Sequence, residues 1–212
     1  MIHVFHGFLG SAQDFDFLKT SNVALHDLYQ ADLQKIIKQL TPEDVLIGYS
    51  MGGRIALEMA VATNFLIQKL VLINSHPGLE YKVERSVRKT FEDEVINKLE
   101  TLSSEEFLAW WNGQALFELD RPLSELSPEK QKASIKLFNQ WRLSNQKDFL
   151  PELVANKARV LIIAGSQDRK YSALALEKLQ PEGIKVRLIE GGHRLFQQQA
   201  ELYSLLKEEG IL

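Results

Sequence analysis

Gly48-Tyr49-Ser50-Met51-Gly52 fits the pattern G-x-S-x-G, which sets a serine hydroxyl on a sharp turn between a strand and a helix. Composition alone produces such a match in roughly one chain in fifteen of this length, so the pattern needs support from its surroundings. The apolar run Val45–Ile47 precedes Ser50, and a helical pattern, Met51–Thr63, follows it. The flanking glycines let strand and helix approach each other while the serine takes a strained backbone conformation. The helix start offers the backbone N–H of Met51 to a developing negative charge.

A serine hydroxyl becomes a useful base or nucleophile only beside a proton acceptor. The chain has five histidines: His3, His6, His26, His76 and His193. His193 follows the last apolar run in "VRLIEGGHRLF", at the head of the last helical stretch, and so falls at the same sheet edge as Ser50. His6 belongs to an "HG" turn after the first run, and His3 and His26 read as structural. Asp168 in "RVLIIAGSQDRKY" is the candidate orienting acid. Asp120 and Asp148 lie in a helical region and fit that role less well. A loop aspartate alone is an ordinary turn residue, but three strand ends carry Ser, Asp and His in the order of a hydrolase-type triad. A second oxyanion donor belongs after the first strand, where "HVFHGFLGS" offers the N–H of Phe8, with Gly7 and Gly10 allowing a close turn.

Arg54, four residues past Ser50, lies one helical turn on. A cation in the first turn opposes the helix dipole, and its i+4 partner Glu58 stands in the less favourable order. Both points favour anion binding by Arg54 over a plain surface pair with Glu58.

Positioning these groups requires a sheet. Six short runs rich in Val, Ile and Leu (Ile2–Phe5, Val23–Leu25, Val45–Ile47, Leu70–Ile73, Val160–Ala164, Val186–Ile189) do not alternate with polar residues. They read as parallel strands buried on both faces. Amphipathic stretches lie between most of them (Gln30–Leu40, Met51–Thr63, Ser172–Leu179, Leu195–Glu208), which predicts an α/β, doubly wound, mostly parallel sheet. From about Pro77 to Glu152 no strand is legible. "SSEEFLAWWNG" opens with Ser103 and Glu106 spaced as a capping box, and the segment predicts helices, either a lid or ordinary packing helices. The expected organisation is one domain, with a core of residues 1–76 and 153–212 and a lid of 77–152.

At 212 residues, 45% of them hydrophobic, the chain supports a single sizeable core. A net charge of −3 argues against nucleic-acid binding through bulk charge. The absence of cysteine excludes disulfides, thiolate metal sites and cysteine nucleophiles. No signal peptide, membrane span, metal cluster or nucleotide-binding glycine pattern is legible. The expectation is a cytoplasmic enzyme with no cofactor and no metal, acting on a small molecule.

These residues resemble the α/β-hydrolase fold. More narrowly, the chain is similar to the 2-succinyl-6-hydroxy-2,4-cyclohexadiene-1-carboxylate (SHCHC) synthase family of menaquinone biosynthesis. The pieces that carry the resemblance are "HGFLGS", "GYSMGGR", "HPGLE" with Arg88 nine residues past Leu79, "FLAWWNGQALF", and "GSQDRKY" followed by "GGH". "HG" and G-x-S-x-G are generic to the fold, while "GYSMGGR", "PGL" with its downstream arginine and the form around Asp168 are more specific. The resemblance implies a lyase: a carbon-bound proton is removed and pyruvate eliminated, with Ser50, His193 and Asp168 as the base system and arginines holding a polycarboxylate. It singles out Arg88, which spacing alone places on a solvated mixed-charge helix face with Arg85, Glu84 and Glu92. It also pairs Trp111 with Phe117 in the substrate pocket, where spacing alone suggests core packing. Tyr49 is expected to line that pocket or to pack beneath it.

The chain departs from the family in three ways. It begins at the strand carrying "HG", it lacks a D-x-P-G-x-G loop after Asp27, and its lid is short. Lys130, Lys132 and Arg142 are candidates for a further lid cation. Two other functions compete: a small carboxylesterase or thioesterase using Ser50 as covalent nucleophile, and a non-catalytic binding relative. Arg54 and Arg88 favour an anionic substrate and so the lyase, whereas a largely apolar pocket would favour the esterase.

Overall fold

The computed structural model describes residues 1–212. Its strands are β1 (Ile2–Phe5), β2 (Val23–His26), β3 (Val45–Tyr49), β4 (Lys69–Ile73), β5 (Val160–Gly165) and β6 (Lys185–Ile189). They form one parallel sheet in the order β2-β1-β3-β4-β5-β6. β3, β4 and β5 are almost wholly buried, as their unbroken apolar runs require. The two outer strands differ from the sequence expectation. β2 and β6 are half-exposed because each has a hydrogen-bonding neighbour on one side only.

Helices cover both faces. On one side, α1 (Leu33–Gln39), α2 (Met51–Ala62) and α6 (Leu150–Ala155) pack on a core containing Leu46, Ile55, Leu57, Leu70 and Ile162. On the other, α8 (Gln199–Glu208) and a 3-10 segment, Ala12–Leu18, close over Ile47, Val71, Ile163, Phe15 and Leu202. The expected helix at 172–179 instead starts earlier, as α7 (Arg169–Ala173), and widens into a π-helical turn, Leu174–Leu179. The last helix opens with a short 3-10 turn, Leu195–Gln197.

Between β4 and β5 the chain is helical: α3 (Lys82–Thr101), α4 (Ser104–Asn112), a 3-10 turn (Ala115–Phe117) and α5 (Pro128–Gln140). Ser103 and Glu106 cap α4 reciprocally, and Ser127 caps α5 through the N–H of Lys130. Phe107, Trp111, Phe117, Leu126 and Phe138 give these helices a small core of their own, which continues to Leu9 and Phe8 at the sheet edge. Helix α6 runs across the expected boundary at residue 152 and buries Leu153 in the main core.

The strand order reverses between β1 and β3. In an open α/β sheet, such a switch point leaves a crevice at the carboxyl ends of the strands. Ser50 follows β3 directly there, and the loop of Phe8 follows β1.

Candidate active site

Ser50 has φ 51° and ψ −114°, outside the regions ordinary L-residues occupy. Such strain costs about 1–3 kcal/mol and persists only where the surroundings fix it. Its N–H donates to Ile73 O at 2.9 Å, and its carbonyl accepts the Ser75 hydroxyl at 2.8 Å. Glycine is required on both sides. A Cβ on Gly48 would lie 2.4 Å from Gly52 O, and one on Gly52 would lie 2.3 Å from the carbonyl oxygens of Phe5 and His6.

His193 Nε2 stands 3.1 Å from Ser50 Oγ, and its Nδ1 stands 2.7 Å from Asp168 Oδ2. Asp168 and His193 are buried, with 4% and 2% of their surface exposed. The other carboxylate oxygen, Oδ1, accepts the N–H groups of Lys170 and Tyr171, so Asp168 caps α7 while it faces the imidazole. This fixes the tautomer with Nδ1–H on Asp168 and leaves the Nε2 lone pair for the serine proton. Ser50, 143 residues from His193 in sequence, thus meets its Nε2, and Asp168 meets the same ring from the other side.

The N–H of Phe8 makes no hydrogen bond within the chain, and that of Met51 is the first of α2, where the helix supplies no partner. His6 holds the Phe8 loop. Its Nδ1–H donates to Gly7 O at 2.7 Å, and its Nε2 accepts the N–H of Leu28 at 2.9 Å. Burial lowers its pKa and keeps it neutral. His3 and His26 stack and bond to each other, 3.0 Å between ring nitrogens, away from Ser50.

A cavity of about 310 Å³ opens beside Ser50 and His193. Phe8, Phe91, Trp111, Phe117 and Phe138 form its apolar wall, and Arg54, Arg88 and Lys170 bring three cations to it. Arg54 is 7% exposed, and the single hydrogen bond of its side chain runs to Trp141 O at 2.5 Å. No carboxylate pairs with it, so the surface pair with Glu58 does not form. Burial, and then the neighbouring Arg88, push its guanidinium down to about 10, which leaves it cationic at neutral pH. The same positive field is felt at His76, pushed down to about 3 by burial and then by Lys170, Lys178, Arg54 and Arg88.

Arg88 corrects the reading of a solvated face. Its Nε donates to Glu92 at 2.8 Å, and Glu92 is fully buried, accepting also the N–H groups of Leu143 and Ser144 and the Ser144 hydroxyl. Arg85 is committed elsewhere, to the carbonyls of Ser144, Gln146 and Leu79. Tyr49 is buried with its ring 5.5 Å from that of His193 and 5.4 Å from that of Phe196; it does not line this cavity but borders a smaller recess beside it with Ser50, Trp111, Phe117 and His193. None of the three candidate lid cations reaches the cavity. Lys130 lies over the Tyr29 ring, Arg142 pairs with Asp93, and Lys132 is on the surface. The third cation is Lys170, which sequence reading passed over although it shares the first turn of α7 with the aspartate cap. Tyr171, its ring tilted 38° to that of His193 with centroids 4.8 Å apart, is a second neighbour the sequence does not reveal. No group of three or more His, Asp or Glu side chains is arranged to hold a metal, and no helix is long and apolar enough to cross a membrane.

A Bacillus subtilis (strain 168) protein assigned as 2-succinyl-6-hydroxy-2,4-cyclohexadiene-1-carboxylate synthase is 28% identical over 191 residues, 84% of this chain and 70% of that one. The synthase of Escherichia coli (strain SMS-3-5 / SECEC) is 28% identical over 155 residues, 70% of this chain, and the match spans only 62% of that protein. Among solved structures, MenH from S. aureus superposes with a TM-score of 0.77 at 23% identity, over 99% of this chain and 94% of that one. At that identity the likeness establishes the fold. Residues 5–204 match the alpha/beta hydrolase family, and the chain belongs to it.

Proposed function

We propose that this protein is a lyase of menaquinone biosynthesis that eliminates pyruvate from a cyclohexene polycarboxylate, the activity implied by its resemblance to the SHCHC synthase family; its relatives carry that synthase name. The observation that carries the reading is Arg54: a buried cation without a carboxylate partner, opening on the cavity that holds Ser50 and His193. A buried unpaired charge is unfavourable in the free protein, and a ligand carboxylate relieves it by a bidentate contact. Arg88 and Lys170 supply charge for further carboxylates.

In this mechanism Ser50 Oγ takes a carbon-bound proton while His193 Nε2 takes the hydroxyl proton, and Asp168 stabilises the resulting imidazolium. The electron pair left on carbon breaks the carbon–oxygen bond and expels the enolate of pyruvate, which takes up the proton held on His193 and leaves as pyruvate. The N–H groups of Phe8 and Met51 face the negative charge that develops. Trp111 and Phe117 sit against the carbon skeleton and exclude water. Residues 77–152 act as the lid over residues 1–76 and 153–212, and the protein works in the cytoplasm without a cofactor.

The apolar wall of the cavity favours a second reading, hydrolysis of an ester or thioester through an acyl-Ser50. Purified protein is to be supplied with the pathway's cyclohexene polycarboxylate and, separately, with p-nitrophenyl acetate. Pyruvate release at a rate abolished by Ser50→Ala supports the lyase. Ester turnover without pyruvate rejects it in favour of the hydrolase.

A further inference from the structure

We propose that Asp120, carried by the helical insertion and not by the sheet, is the positioning residue for His193. The inference rests on the triad reading above, since it concerns what holds the proposed base in place. Asp120 Oδ2 accepts the backbone N–H groups of both His193 and Arg194, each at 3.1 Å. From the opposite side, the Asn74 side chain donates to Gly192 O at 3.1 Å and to His193 O at 2.7 Å, while its own oxygen accepts the N–H of Gly165 at 3.0 Å. The peptide groups on both sides of His193 are therefore gripped from two directions.

The need for such a grip follows from topology. His193 comes four residues after β6, an edge strand with β5 as its single neighbour. Past Ile189, the sheet side offers the loop two backbone bonds, Ser166 N–H to Ile189 O and Gln167 N–H to Gly191 O. The 3.1 Å contact between Nε2 and Ser50 Oγ lies at the long end of hydrogen-bond range, so a small drift of the loop breaks it. Asp120 supplies the missing support on the open side. A Cβ on Gly192 would come within 2.5 Å of its Oδ1, so the loop is shaped to receive the carboxylate. A second tie runs in parallel. The Arg194 guanidinium donates to Arg121 O and Asn112 Oδ1, both at 2.8 Å, and lies 4.2 Å over the Phe117 ring. Asp120 is half-buried; burial raises its pKa, and the N–H groups and charges of Arg194 and His193 oppose that rise.

The test uses the full chain as wild type, D120A, D120N and H193A. Asn keeps an acceptor oxygen where Oδ2 stands, and Ala does not. Pyruvate release gives kcat and KM, and the downfield proton resonance of His193 Nδ1–H, read without substrate, reports the bond to Asp168. Expected for D120A is a kcat about 10- to 100-fold lower with KM within about twofold, and a broadened or lost resonance. D120N is expected to restore both to near wild type. Wild-type kcat and an intact resonance in D120A, an effect on KM alone, or D120N as impaired as D120A would each overturn the assignment. If D120A does not fold, D120S, whose hydroxyl stops one bond short, replaces it with the same expectations. An active H193A would overturn the triad and the positioning role together. A wild type that releases no pyruvate would sink the lyase reading alone, because the resonance still decides the role of Asp120.

Discussion

Replacing Arg54 by methionine separates a residue kept for binding from one kept for the fold. Methionine fills most of the same volume without the charge. Pushing the guanidinium from its ordinary 12.5 down to about 10 corresponds to roughly 3 kcal/mol against the buried charged form. Losing the hydrogen bond to Trp141 O returns about 1 kcal/mol of that gain. The substrate-free R54M protein should therefore be more stable by about 2 kcal/mol, a rise in Tm of roughly 4–8 °C for a chain of this size. Catalysis should move the other way. Truncating one partner of a buried, hydrogen-bonded charge pair costs about 2–5 kcal/mol, so kcat/KM for pyruvate release should fall about 30- to 5,000-fold. R54K keeps the charge but loses the planar fork, and should fall between the two. Calorimetry on the free protein and a continuous pyruvate assay read both arms. A lower Tm with unchanged kcat/KM would refute the reasoning and make Arg54 a tie between α2 and the segment at Trp141.

Three further outcomes are expected. Ser50→Ala and His193→Ala should each abolish turnover while keeping a wild-type circular-dichroism melt, and near-normal turnover by either would remove the triad. Gly52→Ala places a methyl 2.3 Å from two backbone carbonyl oxygens and should destabilise the chain by about 3 kcal/mol or more, read as a fall in urea midpoint; an unchanged midpoint would mean that strand and helix can part at this corner. Acidification should destabilise through the buried neutral histidines. His26 is pushed to about 4 and His76 to about 3, both chiefly by burial. Their folded values lie below the unfolded one near 6.5, so the unfolded chain binds protons first and stability falls as pH drops from about 6.5 towards 3–4. Denaturant midpoints that stay flat over that range would show these rings to be protonated at no cost.

The sequence carried the sheet almost to the residue. β1 coincides with its expected run, and the other strands differ by one or two residues at an end, because parallel strands buried on both faces must be unbroken apolar runs. The edge strands misled slightly. Val186 and Leu188 are apolar enough for the interior, and only the strand order leaves β6 with an open side. Glu92 misled more. Its i−4 arginine and neighbouring charges resemble any solvated helix face, yet the loop at Leu143 and Ser144 folds over it and supplies three donors. Nothing local in the sequence near Glu92 signals a loop fifty residues on.

Ser50, Asp168 and His193 were legible by themselves because each follows a strand, and strand ends of a parallel sheet share one edge. Arg54 was legible because it sits badly where it is. Which cations surround the cavity was a tertiary decision: Lys170 arrives on the first turn of α7, capped by Asp168, while Lys130, Lys132 and Arg142 point elsewhere. Tertiary structure also decided what holds His193. Asp120 and Asn74 are separated from His193 by 73 and 119 residues; Asp120 meets it through packing of the insertion against the sheet edge, and Asn74 from the end of β4. Periodicity and local turn chemistry reach a few residues along the chain, whereas these contacts depend on how distant elements close over one another.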